Sequence, residues 1–278
     1  ASITQGLQQA LAPPSRINLD VQPTTRGLRG FAPIDRHGPQ SSEFLYESTR
    51  DTHRCRDTSL RRLQVLREAG YLRLPPQQRQ IAKADFNPYV YDLTKLGWEV
   101  LAGHKDLEKH CRPTGHWWHG YWVSAVSGAI EISAVRAGHT YIPAAQILAI
   151  KGVEMGIPVS GTKLIPDQLF AIKYPDGYRA FALEVDRGTE PVQSGAARKS
   201  LRRSVAQYQH LLRERNYQSH FGLKSKLCVL WVFQNKQRMK QFDRLLRQDD
   251  QRFTATVASR PEPRWSDLRS VAQRLGIV

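Results

Sequence analysis

The run Leu227-Cys228-Val229-Leu230-Trp231-Val232-Phe233 is seven apolar residues without a polar interruption. It is too short to cross a bilayer, and its β-branched and aromatic content marks it as a strand covered on both faces. Covering such a strand takes a substantial core. The 278 residues leave room for two modest domains and exclude miniproteins held together only by disulfides or metals.

Upstream, Ile165 to Tyr174 and Tyr178 to Asp186 read as two further strands around Pro175-Asp176-Gly177, and Asp-Gly between such runs is a hairpin signal. If Asp176-Gly177 is a two-residue turn, Phe170 stands opposite Leu183, Ile172 opposite Phe181 and Asp167 opposite Asp186. Glu184 then lies two residues along on the same face. Three carboxylates converge in this register. Like charges set against each other are destabilising unless a cation or basic partner neutralises them. Mg²⁺ or Mn²⁺, which accept carboxylate oxygens and keep waters, are the expected cofactors. The plainer alternative is three surface acids in salt bridges with the abundant arginines.

Lys plus Arg number 41 against 25 Asp plus Glu, a formal charge of +16. Such a surplus favours polyanions, so DNA is the expected partner and an anionic membrane surface the runner-up. Much of it is local. From Gly195 to Leu245 twelve Lys/Arg face only Glu214 and Asp243. Within that stretch Ser200 to Arg215 reads as a helix with Leu201, Val205, Tyr208 and Leu212 on one stripe. Arg198, Lys199, Arg202 and Arg203 cluster at or near its start. A charge surplus just after the acids suits an enzyme that holds a phosphodiester over a metal.

No stretch is long and continuous enough to span a membrane, and Ala1-Ser2-Ile3-Thr4-Gln5 does not open a basic region followed by an apolar one. Cys55, Cys111 and Cys228 lack paired spacing, as expected of reduced thiols in a cytoplasmic protein. His104, His110, Cys111, His116 and His119 also lack the spacing of zinc sites. They read instead as a polar linker anchored by Trp117, Trp118, Tyr121 and Trp122.

Three regions follow from the pattern. Residues 1–40, rich in proline and glycine, read as an arm with a short helix at Gln5 to Leu11. Residues 41–110 hold a short helix near Phe44, then Asp57-Thr58-Ser59 as capping types before Leu60, Leu63, Val65 and Leu66. A stop at Gly70, a strand at Tyr71 to Leu74 and a second strand at Tyr89 to Leu93 entering a helix through Thr94 complete the region. Residues 111–278 begin with a helix from Trp122 to Ala137 that carries one acid, Glu131. Tyr141 to Ile150 is compatible with strand or helix.

Thr58 to Tyr71, followed by Tyr91-Asp92-Leu93-Thr94-Lys95-Leu96-Gly97, resembles winged helix-turn-helix domains. The resemblance implies that the helix before Gly70 enters the major groove, with Arg54, Arg56, Arg61, Arg62 and Arg67 available to phosphates or base edges. The region is close to neutral, with twelve Lys/Arg against ten Asp/Glu from Ser41 to His110, so packing against protein is the competing reading. The later order of helix, hairpin, helix and buried strand, with Pro166-Asp167 and Glu184-Val185-Asp186, resembles the PD-(D/E)xK restriction-endonuclease-like superfamily. The fold class expected is therefore α+β, a winged helix followed by a nuclease-like α/β domain.

More closely, Pro166-Asp167, Glu184 to Pro191 and the basic helix running to Tyr208 resemble the replication-relaxation family with its MobC-type mobilisation proteins, over about residues 41 to 245. The resemblance implies DNA nicking in plasmid or mobile-element mobilisation, alongside other mobilisation or replication proteins. Asp167 and Glu184 match metal-binding positions. Asp186 stands where the superfamily has lysine. It is a further ligand, or Lys199 or Arg203 supplies the cation, or the site is inactive. Lys173, about 20 Å of extended strand from Asp167, is too far to serve. Glu131 is either an outer metal contact or a solvated helix acid. His116-Trp117-Trp118-His119 has the wrong spacing for a three-histidine tyrosine relaxase. Two other readings remain: a non-catalytic DNA-binding accessory or replication regulator, and a transposon or restriction-type nuclease.

Overall fold

The computed structural model describes residues 20–80, 88–103, 112–113, 115–188, 191–192, 200–246, 252–258 and 263–277. They form a mixed α+β chain of two compact units, 1–128 and 129–278. Among the described residues no helix is long and apolar enough to cross a membrane.

The first unit runs α1 (Thr25–His37), β1 (Gln40–Ser41), α2 (Ser42–Ser48), α3 (Arg56–Glu68), β2 (Leu72–Arg73), β3 (Val90–Leu93) and α4 (Lys95–Ala102). The strands form a small antiparallel sheet in the order β1-β3-β2. Helix α1 overturns the expectation of an arm before residue 41, while Gln5 to Leu11 lies outside the described residues. Pro33 sits inside α1, yet Phe31 and Ile34 on its inner face are almost fully buried. Burial worth ~1.5–3 kcal/mol for each such side chain offsets the roughly 3 kcal/mol that a mid-helix proline costs. Phe31 and Ile34 share a core with Leu45, Leu63, Leu66, Leu72, Leu93 and Leu101.

Helix α3 begins one residue before the expected capping types, with Cys55 as its N-cap. It ends before Gly70, whose φ of 80° ordinary side chains avoid. Thr94 caps α4 as the sequence indicates, its Oγ1 accepting from the Gly97 N–H at 3.1 Å. Asp92, buried on β3, accepts from Arg73 and Arg112, both at 2.7 Å. A carboxylate out of water needs such partners.

Helix α5 (Trp117–Arg136) crosses the division between the units, and its residues from Tyr121 to Ile130 are all buried. The Tyr141 to Ile150 ambiguity resolves into both structures, β4 (Thr140–Pro143) and α6 (Ala144–Ala149). A two-stranded ribbon follows, β5 (Ile157–Val159) and β6 (Thr162–Leu164), and then β7 (Gln168–Tyr174) and β8 (Gly177–Asp186). After them come α7 (Leu201–Glu214), α8 (Asn216–Phe221), β9 (Leu227–Phe233), α9 (Lys236–Asp243), β10 (Phe253–Val257) and α10 (Trp265–Arg274).

The main sheet has the order β10-β9-β8-β7-β4. β4, β7 and β8 are antiparallel in turn, whereas β8, β9 and β10 are parallel. A parallel pair needs a long crossover, and α7 with α8 lies in the connection from β8 to β9. As the unbroken apolar run requires, β9 lies between two neighbours with nearly every side chain buried. Ser200 caps α7, and Leu201, Val205, Tyr208 and Leu212 form its buried stripe.

The hairpin register differs from expectation by two residues. Tyr174 pairs with Gly177, so the turn is Pro175-Asp176, and Phe170 faces Phe181 while Ile172 faces Arg179. Proline's fixed φ suits the first central position of a turn, which draws the turn one residue earlier. Gly177, with φ 135°, leaves it. A two-residue shift keeps every side chain on its expected face and changes only its neighbour.

Candidate functional site

The shifted register decides which acids meet. Continued one step past its last pair, it brings Asp167 to face Glu184 instead of Asp186. Asp167 stands just before β7 and its Oδ2 accepts from the Val185 N–H of β8 at 2.8 Å. Glu184 is buried, 4% exposed, in the strand between β7 and β9. Its Oε1 accepts from the Tyr208 hydroxyl at 2.6 Å. Tyr208 is fully buried on α7, with its ring edge-on to Trp231, which stands beside Glu184 on β9. Burial pushes its phenol well above the ordinary range, and the negative charges of Glu184 and Asp167 add to the shift. That both carboxylates act on one phenol agrees with their adjacency.

Asp186 is engaged elsewhere. Its Oδ1 accepts from the Gly188 N–H at 2.6 Å and its Oδ2 from Arg238 Nε at 2.9 Å. Both side chains of the Arg238 pair are only 8% exposed. Arg238 lies on α9, near the N-cap Asn235. Glu131 is half-buried on α5. Among the described residues no group of three or more His, Cys, Asp and Glu side chains is arranged to hold a metal ion. The three-way convergence expected from the first register is thus replaced by a pair, Asp167 with Glu184, and a separate ion pair at Asp186.

Of the basic residues, Lys199 and Arg198 lie outside the described residues. Arg202 is exposed and Arg203 half-buried in the first turn of α7. This turn contains no acid. Cations at the positive end of a helix are unfavourable unless an anion joins them. In the first unit, Ser59, Leu63 and Leu66 form the buried side of α3, and Arg54, Arg56 and Arg61 are exposed. Arg62 and Arg67 are half-buried, and Arg62 donates to the Gln22 carbonyl at 3.3 Å. His104, His110 and Cys111 are outside the described residues. His116 and His119 flank Trp117 and Trp118, and Trp117 stacks on Tyr121 at 5.4 Å.

Tyr208 and Arg238 are the site residues the sequence reading did not single out. Tyr208 carried a signal, since a tyrosine on a buried stripe needs a partner for its hydroxyl. Arg238 carried none, because its partner is 52 residues away.

An arginine-bearing helix in one unit and paired acids beside a basic helix in the other define a two-unit α+β protein with cationic surfaces. The chain belongs to the replication-relaxation family, whose model matches residues 31–227. Membership suggests a role in replication or mobilisation and an interaction with DNA. No curated protein and no solved structure matches the chain significantly.

Proposed function

We propose that the protein is a DNA-nicking enzyme of plasmid or mobile-element mobilisation, with a winged-helix first unit that locates the site and a PD-(D/E)xK-like second unit that cuts one strand. The observation that carries this reading is the adjacency of Asp167, just before β7, to Glu184 on β8. Supporting it, the first unit has the order helix, strand, helix, helix, strand, strand, with the arginines on the second helix after β1. The second unit keeps the order of helix, hairpin, helix and strand that carries the nuclease resemblance.

Two adjoining carboxylates fit a hard divalent ion, since Mg²⁺ commonly takes one or two carboxylates and fills its other positions with water and substrate phosphate. Asp167 and Glu184 would hold it. When bound, such an ion polarises a phosphodiester oxygen and lowers the pKa of a water that attacks in line. The chain's own groups do the rest. Tyr208 fixes the Glu184 carboxylate through one oxygen, and the Val185 N–H fixes Asp167. Arg202 and Arg203 draw the DNA backbone to the N-terminus of α7. Arg238 neutralises Asp186, so that acid adds little negative charge against the incoming phosphate.

A second reading, a non-catalytic DNA-binding accessory or replication regulator, draws support from the same contacts. Asp186 is locked with Arg238, and Glu184 is satisfied by Tyr208. Supercoiled plasmid incubated with Mg²⁺ or Mn²⁺ separates the two. Open-circle product that disappears in Glu184→Ala supports the enzyme. Plasmid binding with no open circle under either metal overturns it in favour of the accessory.

A further inference from the structure

The first unit contains a cavity of ≈ 20 Å³ among α1, the turn after α2 and α3. Arg26 and Gly30 of α1, His53 of the turn, and Ser59 and Arg62 of α3 line it, and among the described residues no carboxylate does so. Its floor is apolar, with Phe31 and Leu66 among its residues. The volume suits one water-sized group.

Nδ1 of His53 is buried and has no hydrogen-bond partner among the described residues. Buried polar atoms are almost always paired, so an orphan ring nitrogen beside two guanidinium-bearing chains marks a place for an acceptor. Desolvation, then the charges of Arg26 and Arg62, hold His53 below its ordinary range, while Asp51 acts in the opposite direction. Asp51 is itself gripped by Arg29 at 2.9 and 3.1 Å. The cavity therefore keeps a positive sign. It also lies along α3, on which Arg56 and Arg61 are exposed.

We propose that this cavity is a seat for one backbone phosphate of duplex DNA, with a single phosphate oxygen entering to meet His53 Nδ1 and with Arg26 and Arg62 closing on the others. The inference rests on the reading of the first unit as the DNA-docking part. Its size excludes a base, so the seat sets the position of α3 along the duplex and reads no sequence. Arg26 and His53 thereby join the interface. A phosphate in the seat favours the protonated imidazole, while the ion pair with Arg29 holds Asp51 as a carboxylate. Binding then takes up a proton at His53, and affinity rises as pH falls.

The test is fluorescence anisotropy of the full chain on labelled duplexes of several sequences, as a function of salt and pH. Arg26→Gln is expected to weaken binding to all duplexes alike and to reduce the salt slope by about one. His53→Gln is expected to abolish the gain at low pH. Gly30→Leu keeps every charge. A Cβ at Gly30 meets no atom within 4 Å, so the leucine enters open space and is expected to obstruct the seat and mimic Arg26→Gln. Urea unfolding of each variant confirms that it is folded. Wild-type binding with affinity, salt slope and pH response unchanged in all three variants overturns the seat and leaves the docking reading intact. Absence of duplex binding by the wild type removes both.

Discussion

Gly97 shows how one missing side chain can hold two elements together. A Cβ there would collide with the Tyr71 carbonyl, a backbone atom that cannot swing aside, and would crowd Leu93 at 3.0 Å. Gly97→Ala is therefore expected to destabilise the first unit by about 1–3 kcal/mol, the usual cost of overpacking, measured as a lower urea midpoint. His37 makes a different demand. It is fully buried, and desolvation together with Arg36 holds its imidazole well below the ordinary range. The folded chain keeps it neutral while the unfolded chain protonates it near pH 6.5. Its contribution is present above that pH and is lost progressively as pH falls from there toward the depressed folded value, by up to about 1.4 kcal/mol per pH unit. Urea midpoints between pH 7 and 5 should fall, and His37→Gln should flatten that share of the slope.

At the scale of elements, helix α7 does two things, one at its first turn and one at its middle. Its first turn presents Arg202 and Arg203, and Tyr208 two turns on holds Glu184. Tyr208→Phe keeps the ring against Trp231 but leaves a buried carboxylate short of a donor, expected to cost ~1–3 kcal/mol in urea unfolding. Under the proposed nicking function it should also raise the Mg²⁺ concentration needed for half-maximal open-circle formation. Much of this element was legible in the sequence, because its apolar stripe and its basic start are local patterns. Strand β9 was legible for the same reason. The hairpin was legible as strands but not in register, since Pro175 and Gly177 competed to set the turn and proline won. Helix α1 was obscured because Pro33, Gly27 and Gly30 read as breakers, while the burial of Phe31 and Ile34 that overrides them is tertiary. The Asp186–Arg238 pair joins distant segments and left no local trace.

Across the whole molecule the surplus charge of +16 sets the conditions under which any site can act. Attraction to DNA through many lysines and arginines releases counterions, so affinity should fall steeply and linearly on a log–log plot of binding against salt. Asp167→Asn removes one of the paired carboxylates without touching the arginines. It is expected to abolish open-circle formation while leaving that salt slope unchanged, which nicking and anisotropy measurements on the same preparation would check.

Strand β8 borders β7 on one side and β9 on the other, and β9 arrives only at Leu227. The family match stops at the same residue. A chain shortened there would retain both paired acids but expose β8 as a raw, largely apolar edge with unmet N–H and C=O groups, an invitation to self-association. During synthesis the ribosome presents that same vulnerable intermediate until the rest of β9 emerges. The shortened form is expected to sediment as aggregates where the full chain stays dispersed.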